Sequence, residues 1–356
     1  MPEAQTDTPQ RGADETPRRG AAVATGIAAP SRYHEKFGTT VIKQIEEGTA
    51  PWQRESKAGE PAIPRNGVTG RRYTGGNGAY LASRGQDRGF ADNRWVSAKQ
   101  VRENGGKLAR GAVGERILYR DDSGKRPVWR TTTVYNVEQT RGLKLERRPP
   151  RAEWHAHRAA DAVIASSAVP IKESPGDLGY YVKDEDRIVM PERGRFSSAD
   201  TYYNTAFRHM AHASGHEDRM NRATFREAHS EGLDGEAHGR ENLRVEMATM
   251  ATAQRLGVGY QPADSEAYKD LWVKALKADP REIHRAAAEA DRISKTLLRP
   301  AREQLRDLAR EARTSRSRTA PERAPAGPER AAPERPAAAP PPPAPERAAP
   351  SMTPGR

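Results

Sequence analysis

Cysteine is absent from all 356 residues. Its absence excludes disulfide staples, cysteine-ligated zinc ribbons and thiol catalysis, and suits a reducing, cytoplasmic setting. Long apolar runs are missing too. None approaches the roughly 20 residues that a membrane-spanning helix needs. The N-terminus is charged but holds no sustained apolar stretch, so it does not read as a secretory signal. Hydrophobic residues make up 35% of the chain and aromatics 6%, against 30% charged. A chain so poor in apolar groups cannot bury all of itself, so ordered modules with disordered tails are expected.

The net charge of +12 is unevenly placed. Between Ser31 and Pro150 there are 24 Lys and Arg against 13 Asp and Glu, which accounts for nearly all of the excess. A localised excess points to a polyanionic partner.

Taken in order, residues 1–30 read as a disordered arm. A helix starts near Tyr33, with Phe37, Val41, Ile42 and Ile45 at spacings of three and four. Gly48 ends it and Ala50-Pro51-Trp52 turns the chain. Val68 to Asn77 is a Gly-rich basic loop, followed by a short helix over Ala79 to Ser83. Trp95-Val96-Ser97 predicts a strand running into a helix capped by Ser97 and stopped by Gly105-Gly106. Strands are predicted over Glu115 to Arg120 and Val128 to Val137. The Pro149-Pro150 region marks a linker, 144–153. Beyond it a helix is expected over Trp154 to Ala165, and a hairpin from Gly179-Tyr180-Tyr181-Val182 to Arg187-Ile188-Val189-Met190. Helices are then expected over Tyr202 to His216, Arg240 to Gly257, Ser265 to Lys277 and Arg281 to Leu298. From about Thr319 the chain turns low-complexity, with 12 of its 28 prolines and a recurrent Pro-Glu-Arg. It reads as an extended tail, 313–356, that could touch a partner protein. The fold class expected is α+β. A small α+β module, 31–143, precedes a mainly helical module, 154–312.

In the first module basic residues alternate with aromatics. Arg71, Arg72, Lys99, Lys107, Arg110 and Arg116 lie among Trp52, Tyr73, Tyr80, Trp95, Tyr119, Trp129 and Tyr135, with Asn77 closing the Gly-rich loop. Single-stranded nucleic acid is bound by that chemistry: cations track phosphates and aromatic faces stack on bases. The competing reading assigns Trp95, Trp129 and Tyr135 to the core, since each stands in a strand-like context.

In the second module three of the nine histidines, His209, His212 and His216, fall within eight residues. At 100° per residue they share one narrow arc of a helix. Glu246, on the next long helix, could face them. Two helices offering His, His and Glu to one point is a zincin arrangement. The H-E-x-x-H pattern is altered here. Arg208 stands at the first histidine, and His209 stands at the general-base glutamate.

Several motifs are similar in order and spacing to the ArdC antirestriction family. In the first module they are Ala50-Pro51-Trp52, Asn66 to Tyr73 with Gly76-Asn77, Asn93 to Gln100 with Gly105-Gly106, Lys107 to Gly111 and Val134 to Gln139. The resemblance continues through Gly179-Tyr180-Tyr181, Arg187 to Pro191, Tyr202-Tyr203, Gly215-His216, Arg219 to Arg222, and Glu241-Asn242-Leu243 with Glu246. It implies a single-stranded-DNA-binding domain joined to a zincin-like metallopeptidase domain, in proteins of mobile elements that shield incoming DNA from restriction. Carried over, His212 is the second motif histidine and Glu246 the downstream carboxylate, with Glu241 as runner-up.

Two readings of the second module stay open. In one, Arg208 pairs with Glu246 and replaces a metal by an ion pair, because a guanidinium cannot deprotonate to ligate. The protein is then a single-strand DNA binder with an inactive zincin-like domain. In the other, His209, His212, His216 and Glu246 form a shifted site for Zn or Mn and the chain is a metal-dependent peptidase. No catalytic residue is assigned with either. A scaffold role for the second module is a third option.

Overall fold

The computed structural model describes residues 31–60, 63–121, 128–145, 153–232, 235–263 and 266–319. The arm 1–30, most of the linker, the turn before Val128 and the tail beyond Thr319 lie outside them.

The fold is α+β. Its first third runs α1 (Ser31–Glu46), β1 (Arg65–Asn66), α2 (Gly75–Asp87), β2 (Arg94–Ser97), α3 (Ala98–Glu103), β3 (Lys107–Leu108), β4 (Glu115–Asp121), β5 (Val128–Asn136) and β6 (Thr140–Arg141). The remainder runs α4 (Glu153–Ala165), β7 (Ile171–Ser174), β8 (Tyr180–Val182), β9 (Arg187–Pro191), α5 (Ala199–Ala213), α6 (Ala223–Glu231), α7 (Glu236–Leu256), α8 (Glu266–Ala278), α9 (Glu282–Leu298) and α10 (Arg302–Thr319). The described residues up to Ala312 form one compact unit.

Local chemistry explains these elements. Phe37, Val41 and Ile45 recur every fourth residue of α1, and all three are fully buried. Ser97 caps α3 by accepting from the Gln100 backbone N–H at 3.2 Å, while the Gln100 side chain takes the Ser97 N–H at 3.0 Å. Gly257, with φ +89°, ends α7 in the left-handed region that glycine adopts without penalty.

One sheet has the order β1-β2-β5-β4, with β1 parallel to β2 and the rest antiparallel. β3 and β6 form a separate antiparallel ribbon. The third sheet has the order β7-β9-β8, and its central strand buries Ile188, Val189 and Met190. Buried residues of both halves join one core. Trp52 meets Trp272 edge-on at 6.5 Å, and Phe37 meets His284 at 4.9 Å.

Some expectations are corrected. α2 begins at Gly75, four residues before the short helix expected at Ala79. The glycines serve close packing: a Cβ on Gly76 would lie 2.5 Å from His284, and one on Gly78 2.7 Å from the Tyr73 carbonyl. β7, parallel to β9, is an addition to the expected elements, since it carries no strong alternation, and α6 and α10 are additions too. The helix expected to carry all three histidines stops at Ala213, capped by Ser214. His216 therefore lies in the following turn.

Candidate functional site

α5 and α7 pack side by side. Ser198 starts α5 by accepting from the Thr201 N–H at 3.1 Å, and that phase sets Arg208 toward α7. Arg208 Nε lies 2.5 Å from Glu246 Oε1 and Nη2 lies 3.3 Å from Oε2, a two-pronged pair. Nη2 also donates to the Gln261 carbonyl at 3.3 Å. Glu246 is buried and the Arg208 side chain is only 14% exposed. Burial opposes the charge on Arg208, but the Glu246 carboxylate beside it raises its pKa, so the group stays cationic.

The Tyr260 hydroxyl completes this corner. It lies 2.8 Å from the Trp52 carbonyl and 3.1 Å from Glu246 Oε2. Both neighbours accept, so its one proton serves one of them at a time. Burial first, and Glu246 second, push the phenol well above its ordinary pKa. No local pattern marks Tyr260, because it reaches the site by a turn after α7.

The runner-up carboxylate is also occupied. Glu241 takes Arg222 Nε at 3.1 Å and the Thr224 hydroxyl at 2.7 Å. Arg222 further donates to Ser214 Oγ at 2.7 Å and to the Ala211 carbonyl at 2.9 Å. Both side chains of that pair are buried.

The histidines do not converge. His209 and His212 are 6.5 Å apart between ring centroids, and Gly179 lies against His209. His216 turns back on its own segment, accepting from the Asp218 N–H at 3.3 Å. The pKa of His209 is lowered to about 3, by burial foremost and then by His212 and Arg208. His212 is likewise lowered to about 3, by burial and then by Arg222 and other nearby cations and histidines. Both rings are neutral at physiological pH.

A zincin-type centre needs three ligands and an open water position. This donor set does not fit one. A guanidinium holds the first ligand's place and has donors only. The carboxylates of Glu241 and Glu246 already face arginines. Among the described residues no group of three or more His, Cys, Asp or Glu is arranged to hold a metal ion. The shifted site expected from His209, His212, His216 and Glu246 is thus not assembled, because α5 ends before His216 and Arg208 takes Glu246.

In the first third, the expected nucleic-acid residues separate into two groups. Trp52 and Trp95 are each 1% exposed and belong to the core, so neither offers a face for stacking from outside. Trp95 instead meets Phe90 edge-on at 5.9 Å. Asn77 is a clamp on β4, bonding both the carbonyl and the N–H of Leu118. Tyr73 and Tyr135 are half-buried, and the Tyr73 hydroxyl accepts from Asn66 at 3.3 Å. Arg72 is half-buried and bridges to Arg65 along the backbone. The Trp129 side chain lies outside the described residues.

Arg71, Lys99, Lys107, Arg110 and Arg116 are exposed. Lys99 pairs with Glu103 one turn on, at 3.7 Å. The structure adds Arg102, Arg141 and Lys144, also exposed, and it leaves Tyr119 41% exposed on β4 while burying Tyr80. In the β3–β6 ribbon Lys107 stands directly opposite Arg141. Like charges facing each other across a ladder repel, so the ribbon favours an anion laid over it. Two-residue strands leave no periodic signal, so sequence alone gives no reason to bring Arg141 and Lys144 to this surface.

Comparison with known proteins agrees with this layout. The family described as the N-terminal domain of anti-restriction factor ArdC matches residues 31–149, and a zincin-like metallopeptidase family matches residues 158–289. Two Escherichia coli proteins named DNA primase TraC are 35% and 36% identical over 289 and 296 residues. These matches take in 73% and 75% of this chain, but only 19% and 27% of those much longer proteins. An uncharacterized protein of Sinorhizobium fredii, y4eC, is 25% identical over 288 residues, covering 74% of this chain and 91% of its own. Among solved structures, the antirestriction ArdC protein from plasmid R388 in its Mn(II)-bound form is 28% identical, with a TM-score of 0.62 over 75% of this chain and 97% of its own. Its metal-free form gives 27% and 0.61, over 76% of this chain and 98% of its own. With both domain types present in the same order, and with the R388 protein matched almost end to end, this chain belongs to the ArdC family.

Proposed function

We propose that this chain binds single-stranded DNA in the service of antirestriction on a mobile element, with a zincin-like half that acts as scaffold and not as peptidase. The observation that carries the binding half is Lys107 facing Arg141, within a surface that also exposes Arg110 and Lys144. An arrangement that repels itself is stabilised by a polyanion. Tyr119, exposed on β4, offers a ring, and stacking on a base is worth about 1–3 kcal/mol. The scaffold half rests on the Arg208–Glu246 pair, which occupies the carboxylate that would ligate a metal, and on His209, which stands where a glutamate would take the proton of a metal-bound water. The R388 relative is described with Mn(II) bound; in this chain Arg208 stands in the way of the same chemistry.

The test is a pair of titrations on the full chain, with single-stranded and duplex oligonucleotides at several salt concentrations, alongside metal analysis of the purified protein. Preference for the single strand, with a log-log salt slope of about −0.7 per phosphate neutralised, is expected. Equal affinity for duplex, or stoichiometric metal with chelator-sensitive proteolysis, would contradict it.

A further inference from the structure

The β4–β5 hairpin has two faces of different character. On β4, Glu115 and Ile117 are buried while Arg116 between them is exposed. On β5, Val134 is buried while Thr131 and Thr133 are exposed and Tyr135 is half-buried. Neighbouring side chains of a strand point to opposite faces. The register sets Arg116 opposite Thr133 and Leu118 opposite Thr131. Arg116, Leu118, Thr131, Thr133 and Tyr135 therefore share one outer face, which is open to solvent.

Three observations say what covers it. The first is charge. Both carboxylates of the described hairpin are taken elsewhere: Glu115 turns inward to Tyr80 and Arg84, and Asp121 pairs with Arg130. The Arg116 side chain has no ion pair or hydrogen bond among the described residues. Around β8 and β9, by contrast, Arg187, Arg193, Arg195 and Arg219 each have a carboxylate. The second is the ring of Tyr135. A Cβ on Gly114 would stand 2.3 Å from Thr133 and 2.9 Å from the Tyr135 ring, so the glycine backbone backs that ring. Its hydroxyl makes no hydrogen bond among the described residues. A ring already held in place loses little freedom when a base stacks on it. The third is continuity. Gln139 takes the Ala109 N–H on its carbonyl and the Val113 N–H on its side chain, both at 2.8 Å. The β3–β6 ribbon, with Lys107 and Arg141, is thereby fixed to the end of the hairpin that carries Arg116 and Tyr135.

A lone cation would suit any anion, and a duplex hides the faces of its bases in the stack. A single strand uses the cation and the ring together. We infer that a single DNA strand passes from the ribbon onto the outer face of β4 and β5, with one base on Tyr135 and a neighbouring phosphate on Arg116. This path rests on the DNA-binding reading above and adds where the bases lie. By the same alternation Tyr119 belongs to the opposite face, so a base stacked there would mark a different path.

The full chain, irradiated with a thiothymidine-bearing oligonucleotide, tests it, each adduct being located to its residue by peptide fragmentation. An adduct on Tyr135 is expected. Thr131→Glu and Thr131→Gln, at an exposed position of the same face, separate charge from size. A carboxylate set beside a phosphate repels it, so the Glu variant should bind the strand about tenfold more weakly than the Gln variant. Adducts on Tyr119 or confined to the ribbon, or equal affinity of the two Thr131 variants, overturn the path over β4 and β5. The DNA-binding reading survives that result if the parent protein still prefers single strand to duplex. A parent protein that binds no oligonucleotide overturns both.

Discussion

Arg222 meets Glu241 at one end of the α5–α7 contact just as Arg208 meets Glu246 further along, so a guanidinium faces each of the two buried carboxylates of α7. Neither carboxylate is left to act as a ligand or a base. Each pair is costly to desolvate and more costly to break, since the surviving partner is left charged and buried.

Arg208→Ala should therefore destabilise the fold by about 3–5 kcal/mol, the usual cost of orphaning one member of a buried pair. The double change Arg208→Met with Glu246→Leu removes both charges and should recover most of that loss. Urea unfolding of the three proteins measures the difference. Equal stability of parent and single variant would mean that the pair contributes nothing.

Arg208→His with His209→Glu restores the H-E-x-x-H spacing with His212 and frees Glu246. Stoichiometric uptake of Zn²⁺ or Mn²⁺ after dialysis is expected from that double variant, read by elemental analysis. If the variant folds and stays metal-free, something beyond those two positions blocks the site.

His209 and His212 should make the protein acid-labile. Each has a folded pKa lowered to about 3, against about 6.5 for an unfolded histidine. Between those values the unfolded chain binds protons that the folded chain does not, so stability falls as pH drops from about 6.5 toward 3. Above that window the two rings contribute no pH dependence. His209→Asn should flatten the curve of melting temperature against pH in this range, and an unchanged slope would show that other groups dominate it.

Lys107→Ala with Arg141→Ala should separate binding from stability. Removing two like charges that face across the ribbon should stabilise the free protein by about 0.2–1 kcal/mol. The same change should weaken single-strand binding and reduce the salt slope by up to about 0.7 for each phosphate that is no longer neutralised. A less stable protein with unchanged affinity would place the DNA-binding surface elsewhere.

Much of this is legible in the residues. The fourfold spacing of Phe37, Val41 and Ile45 marks α1, and Ser97 with Gln100 marks the start of α3, because both signals are local. The Arg208–Glu246 pair is legible as one of two readings, since an arginine at a ligand position can only seek an anion. What sequence does not show depends on long-range packing. Trp52 and Trp95 look the same in sequence whether they stack on bases or fill a core, and only the other half of the chain decides. His216 shares a helical arc with His209 until Ser214 and Gly215 end the helix. Tyr260 enters through a turn that no periodicity announces.

The Tyr260 hydroxyl bonds the Trp52 backbone, and the Trp52 indole rests on Trp272. Through those contacts the zincin-like half furnishes part of the wall on which the basic half is folded. Two point changes are enough to break the H-E-x-x-H pattern, whereas deleting the whole domain would strip these contacts from its neighbour. A gene shortened to the basic half alone would yield a product with Trp52 bared to water and prone to aggregate. Selection can therefore keep the second domain for its packing, whatever becomes of its catalysis.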